Sequence, residues 1–134
     1  MDVDELRALP LLSGVSEVGL QRLASRAAEL EAEKGRVLAL QDDPGAGMFV
    51  LCDGTVAVEL KSGVLELGPG DFFGELALLV EDGARVARVR ATTPVRCLSI
   101  PRDDFLALVE TEPSFALHML RELARRLVEA RAAV

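Results

Sequence analysis

The chain has little of what catalytic and metal centres are built from. It holds one histidine, His118, and two cysteines, Cys52 and Cys97, which lie far apart. His118 has no second His or Cys at ligand spacing, so a packing or surface role is expected rather than a haem or metal role. Each cysteine sits in a strand-like apolar run, which suits two reduced core thiols better than a disulfide or a metal site. No nucleophile stands beside a base, so no catalytic residue is assigned and the chain does not read as an enzyme. Basic residues are short as well: 15 Lys and Arg face 22 Asp and Glu, for a net charge of -7. A chain that grips nucleic acid needs a basic footprint, so direct nucleic-acid binding is not expected. No apolar run approaches the ~18 residues of a membrane span. Met1 to Leu12 opens acidic, without the basic start of an export signal, and the cytoplasm is the expected location.

What is present is a compact apolar chain of 134 residues, 50% hydrophobic, enough for one domain with a proper core. It divides into three parts. Residues 1–33 carry apolar positions at Leu6, Leu9, Val18, Leu20, Leu23 and Ala27, the spacing of short amphipathic helices, with Ser16 as a cap. Residues 34–101 offer short strand-like runs, RVLALQ, MFVLC, TVAVEL, VLEL, RVARVRA and VRCLSI, punctuated by Gly and Pro. Such spacing predicts a β-sandwich or jelly roll. Residues 102–134 turn helical, with Pro113 in a first turn and no breaker after it.

Within the strand-rich part, LGPGDFFGELALL, residues 67–79, reads as a phosphate-binding cassette. Gly68, Pro69, Gly70 and Asp71 make a turn, and Gly74 opens a short apolar helical segment, Glu75 to Val80. Free N–H groups at such a start attract an anion. In the next strand Arg85, Ala87, Val89 and Ala91 share one face, and Val86, Arg88 and Arg90 the other. An arginine on the small apolar face needs an acceptor, either an anionic ligand or a carboxylate such as Glu75.

FGELALL, a short spacer and an Arg on the next strand resemble the cassette of cyclic nucleotide-binding domains, found in the cAMP receptor protein family, cyclic-nucleotide-dependent kinases and gated channels. The resemblance extends over nearly the whole chain. It implies a mainly β fold with flanking helices: a double-stranded β-helix, or jelly roll, with N-terminal helices, a cassette over 68–91 and a long C-terminal helix. It implies a cyclic mononucleotide ligand, cAMP above others, with no cofactor or metal. Phe73, Gly74, Glu75, Leu76, Ala77, Arg85, Val86 and Ala87 are the expected ligand-binding residues, Arg85 holding the phosphate and Glu75 the ribose 2'-hydroxyl. The family often carries Ser, Thr or Ala where this chain has Val86, which weakens the case for cGMP. It has Pro where this chain has Ala84, Gly at Asp42 and Asp at Ala46. A Thr and a Ser near the end of the family's C-terminal helix contact adenine, and the corresponding positions are Ala130 and Arg131. The family's oxygen-sensing branch uses a cysteine cluster, and none exists here.

The last helix bears on output. Ala116, Leu120, Leu123, Leu127, Ala130 and Val134 step by four and three residues as a heptad seam, with Leu117 and Val128 off it. The double stripe predicts one face on the barrel and another on a second copy, a homodimer through this helix. No output module follows Val134 in the sequence, so an output is expected to come from a partner protein or a fused domain, or not to exist. The competing reading is a degenerate, ligand-free β-roll serving dimerisation or interaction; a further one is the sensor half of a transcription regulator.

Overall fold

The computed structural model describes residues 1–39, 47–61, 63–79 and 87–132. Two short helices open the chain, α1 (Val3–Arg7) and α2 (Glu17–Arg26), with a 3₁₀ turn at Pro10–Leu12 between them. Asp2 and Glu5 cap α1 reciprocally, and the Ser16 hydroxyl accepts from the Gly19 amide at 3.1 Å to cap α2. Among the described residues eight strands follow: β1 (Ala28–Ala32), β2 (Val37–Ala39), β3 (Gly47–Asp53), β4 (Val56–Leu60), β5 (Gly63–Leu67), β6 (Phe72–Phe73), β7 (Arg88–Ala91) and β8 (Val95–Pro101). A four-residue helix, α3 (Leu76–Leu79), interrupts them, and α4 (Arg102–Thr111) and α5 (Pro113–Ala132) close the chain.

The strands form two antiparallel four-stranded sheets, ordered β1-β8-β3-β6 and β2-β7-β4-β5. Alternation along the strands builds two cores from one sheet. Leu51, Phe73 and Cys97 point between the sheets, where they meet Val56, Leu67, Val89 and Ala91. Their neighbours Val50, Phe72 and Leu98 point outward, under Leu20, Leu23, Phe105 and Phe115 of the helices. Burial on both faces makes β3 and β8 the rigid centre of the molecule. Cys52 packs against the outer core and Cys97 lies in the inner one, so the two thiols occupy opposite faces of the sheet and are free, as expected.

Two expectations need correction. The N-terminal helical part does not run to residue 33: α2 ends at Arg26, and AELEA forms β1, from Ala28 opposite Ser99 to Ala32 opposite Val95. As an edge strand it turns Leu30 and Ala32 inward and leaves Glu29 and Glu31 to solvent, a polar pattern that imitates a helix surface. The single seam on α5 also divides. Phe115, Met119 and Leu123 face the helical core, whereas Leu120 and Leu127 are exposed together with Leu117 and Val128. Val134 lies outside the described residues.

The N-terminal helices are clasped to the last two. Glu112, between α4 and α5, accepts from the Ser16 amide and hydroxyl, each at 2.8 Å. Asp104, buried on α4, accepts from Arg26 at 2.6 Å, with Arg22 at 3.7 Å. A buried carboxylate is tolerated only when paired, so these arginines fix the seat of α4 against α2.

Candidate functional site

The site begins at the turn before β6. The Asp71 side chain accepts from the Gly68 amide at 2.9 Å, and the Asp71 amide donates back to the Gly68 carbonyl at 3.0 Å. The Gly70 amide donates to the Leu51 carbonyl and the Leu51 amide to the Asp71 carbonyl, both at 2.8 Å, which pins the turn to β3. Phe72 and Phe73 then pair with Val50 and Phe49, and Phe73 stacks on Phe49 with ring centroids 5.0 Å apart. Gly74 turns the chain with a φ of +89°. Glu75 follows, and its carbonyl accepts from the Leu78 and Leu79 amides to start α3. Leu78 is the anchor of that turn, buried in the outer core, while Leu76 and Leu79 face solvent.

Glu75 is 3% exposed. Its carboxylate lies 3.5 Å from the guanidinium of Arg126, which reaches inward from α5. Arg126 also donates to the Phe72 carbonyl at 2.8 Å and to Glu122 at 3.0 Å, and stands over the Phe72 ring at 4.5 Å from its centroid. Hydrogen bonds from Arg125, and then from Arg126, hold the Glu122 carboxyl below the usual carboxylate range. A buried acid, a half-buried cation and a pinned turn therefore meet where β6, α3 and α5 converge.

Residues 29–112 match the cyclic nucleotide-binding domain family. The chain belongs to that family. It is 30% identical over 131 residues to the cyclic AMP receptor protein of Thermus thermophilus, covering 93% of this chain and 60% of that protein. It is 45% identical over 97 residues to Glutaminase 2 of Bradyrhizobium diazoefficiens, covering 68% of this chain and 15% of that protein. The chain thus spans less than two thirds of either relative. Among solved structures, the Thermus thermophilus catabolite activator protein superposes with a TM-score of 0.74 at 31% identity, covering 92% of this chain and 61% of that one. A cyclic nucleotide-binding protein of Geobacter metallireducens superposes with a TM-score of 0.78 at 20% identity, over 97% and 98% of the two chains, a likeness of fold. It is a cyclic nucleotide-binding regulatory domain similar to those of the cAMP receptor-like regulators, with the expected β-roll.

Of the residues expected to bind ligand, Phe73 to Ala77 form the continuous passage from the end of β6 through the Gly74 turn into α3. Ala87 is buried at the entry to β7, and its parity holds: Val89 and Ala91 point inward, while Arg88 and Arg90 pair with Glu59 outside. Arg85 and Val86 lie outside the described residues, as do Asp42, Ala46 and Ala84. Ala130 is exposed near the end of α5, and α5 continues through Arg131. His118 is exposed and lines a surface cleft of about 410 Å³ with Pro10, Gly14, Ser114 and Arg121, which fits the surface role expected of it. Arg126 is the member of this arrangement that the sequence reading missed. The signal was there: Phe115, Met119, Leu123 and Arg126 step by four, four and three along the face that α5 turns to the barrel.

Proposed function

We propose that this domain binds a cyclic mononucleotide, cAMP above others, at the cassette around the Gly74 turn, and passes occupancy to α5. The observation that carries the reading is Glu75, a carboxylate 3% exposed in a family cassette whose backbone is pinned to β3. Burying a carboxylate is costly, and a pocket that receives a sugar hydroxyl gives that carboxylate a task. Arg85, two residues before the buried Ala87, supplies the cation for the phosphate. Ligand binding orders the cassette and shifts the population of α5 arrangements, because the two arrangements bind ligand differently. The exposed Leu117, Leu120, Leu127 and Val128 support a homodimer through α5, with a partner protein or fused domain as the effector.

The test is calorimetric titration with cAMP and cGMP, using Arg85→Ala as the control. Micromolar binding by cAMP, about 8 kcal/mol, is expected, with a loss of a hundredfold or more in Arg85→Ala. Unchanged affinity in the variant overturns the site. Absence of heat with both nucleotides, in folded protein free of carried-over ligand, overturns binding and leaves the ligand-free scaffold. That second reading draws on the Arg126 contact, which gives Glu75 a partner from within the chain.

A further inference from the structure

A surface groove of about 410 Å³ lies between α5 and the Pro10–Leu12 turn, and none of the described cassette residues lines it. Its long wall is one face of α5, where Ser114, Leu117, His118, Arg121, Glu122 and Arg125 recur at helical spacing. At ~1.5 Å per residue this wall is about 16 Å long. The facing wall is the short segment from Pro10 to Gly14, so close that a Cβ on Gly14 would lie 2.7 Å from the Ser114 hydroxyl. Most of the lining residues are exposed, so the groove is open along its length. That shape takes an extended chain of about five residues, at ~3.3 Å each, better than a compact ligand.

The chemistry of the groove changes from end to end. Beside Pro10 it is neutral, with the Ser13 and Ser114 hydroxyls and Leu117, which is 46% exposed. Further along α5 it turns cationic. Glu122, the acid of this wall, is held by Arg125 and Arg126, and Arg125 pairs with Glu129 as well. Arg121 takes part in none of these pairs. Among the described residues, the side chains of His118 and Arg121 make no hydrogen bond or ion pair, so Arg121 is the uncompensated charge of the groove.

We infer that this groove docks an extended acidic segment of a partner protein, with a carboxylate on Arg121 and an apolar side chain on Leu117. A guanidinium takes a carboxylate through two parallel hydrogen bonds, and His118, one turn back, donates to a second acceptor. Leu117 and Arg121 stand four residues apart on the helix, which places their Cβ atoms about 6 Å apart. Alternate side chains of an extended chain lie on one side of it, about 6.6 Å apart. The segment therefore carries an acid and an apolar residue two positions apart. On a chain with a net charge of -7 an acidic segment meets mostly like charge, so this groove sets where it settles. Nothing in the contact calls on the cassette.

The test begins with a phage-displayed library of random heptapeptides selected on the folded chain. The consensus should pair an aspartate or glutamate with a leucine, isoleucine or phenylalanine two positions away, and Arg121→Glu should not select it. A fluorescein-labelled synthetic peptide of that consensus should bind the wild type with micromolar affinity in anisotropy titrations, more weakly as salt is added. Affinity should fall tenfold or more in Arg121→Glu and about threefold in Leu117→Ser. Lys61→Glu makes the same change of charge at an exposed site outside the groove and should leave affinity within twofold. Circular dichroism checks that each variant is folded. A consensus without acids, or equal losses in Arg121→Glu and Lys61→Glu, overturns the inference. Loss of a dimer in light scattering on Arg121→Glu would assign the groove to an interface between copies and overturn it too.

Discussion

Raising the pH from 9 to 11 should destabilise this domain through one thiol. Cys97 is 0% exposed and lies between the sheets against Leu51, Val56, Phe73 and Val89. Burial pushes its pKa from the ordinary 9.0 up to about 11, with Cys52 adding to the effect. The thiolate is the form that the core excludes, and the unfolded chain ionises first. The folded state therefore keeps a proton that the unfolded state has released, so this contribution is intact below pH 9 and is lost as pH rises toward 11. One pKa unit corresponds to about 1.4 kcal/mol, which makes the loss about 2 kcal/mol at pH 11, where the folded thiol is itself half ionised. That is a large fraction of the ~5–15 kcal/mol that holds a domain together. The chain has no tyrosine, and Cys52, whose pKa burial also pushes up from 9.0, adds a smaller loss of the same sign. Urea unfolding followed by circular dichroism under reducing conditions, at steps from pH 8 to 11, measures the slope. Cys97→Ala should lose about 1 kcal/mol at pH 8 from the small cavity it leaves, but should fall less steeply above pH 9. Parallel curves for the two proteins would refute the argument.

Two further predictions concern the backbone and the free helix face. Gly54 has a φ of +82°, and a Cβ there would lie 2.2 Å from the Pro94 carbonyl oxygen and 2.9 Å from the Thr93 hydroxyl, which accepts from the Thr55 amide. Gly54→Ala should cost about 3 kcal/mol, a melting temperature lower by roughly 10 °C. Gly35→Ala, with a φ of +92° but nothing within 4 Å, should cost about 1 kcal/mol; equal losses in the two melts would mean that the close approach contributes nothing. Leu120→Glu combined with Leu127→Glu should convert a dimer to a monomer in light scattering while changing unfolding free energy by less than about 1 kcal/mol, since both side chains are exposed. A dimer that survives both charges does not use this face.

The interior of the roll was legible because its strands alternate. Ala87, Val89 and Ala91 face in, and Arg88 and Arg90 face out, as their parity requires. The cassette was legible because its glycines and Asp71 occupy turn positions that few other residues fill. What escaped was set by partners distant in sequence. β1 carries two glutamates in five residues and becomes a strand because β8 lies beside it. β6 is two residues long, too short for any periodicity, and exists by pairing with β3. Arg126 has the charge of a surface residue; its burial follows from Phe115 and Met119, which turn that face of α5 inward toward Phe72 and Glu75.

The pairing of β1 with β8 places the chain's entry into the roll beside its exit, Ala28 against Ser99. A module whose two leads emerge side by side behaves like a plug: it can be set into an unrelated host without stretching either flank. The Ser16–Glu112 and Arg26–Asp104 contacts bind those leads together just outside the roll. A pull on α5 is then shared with α2 before any strand bends, so the roll can stay stiff while its helices carry the movement.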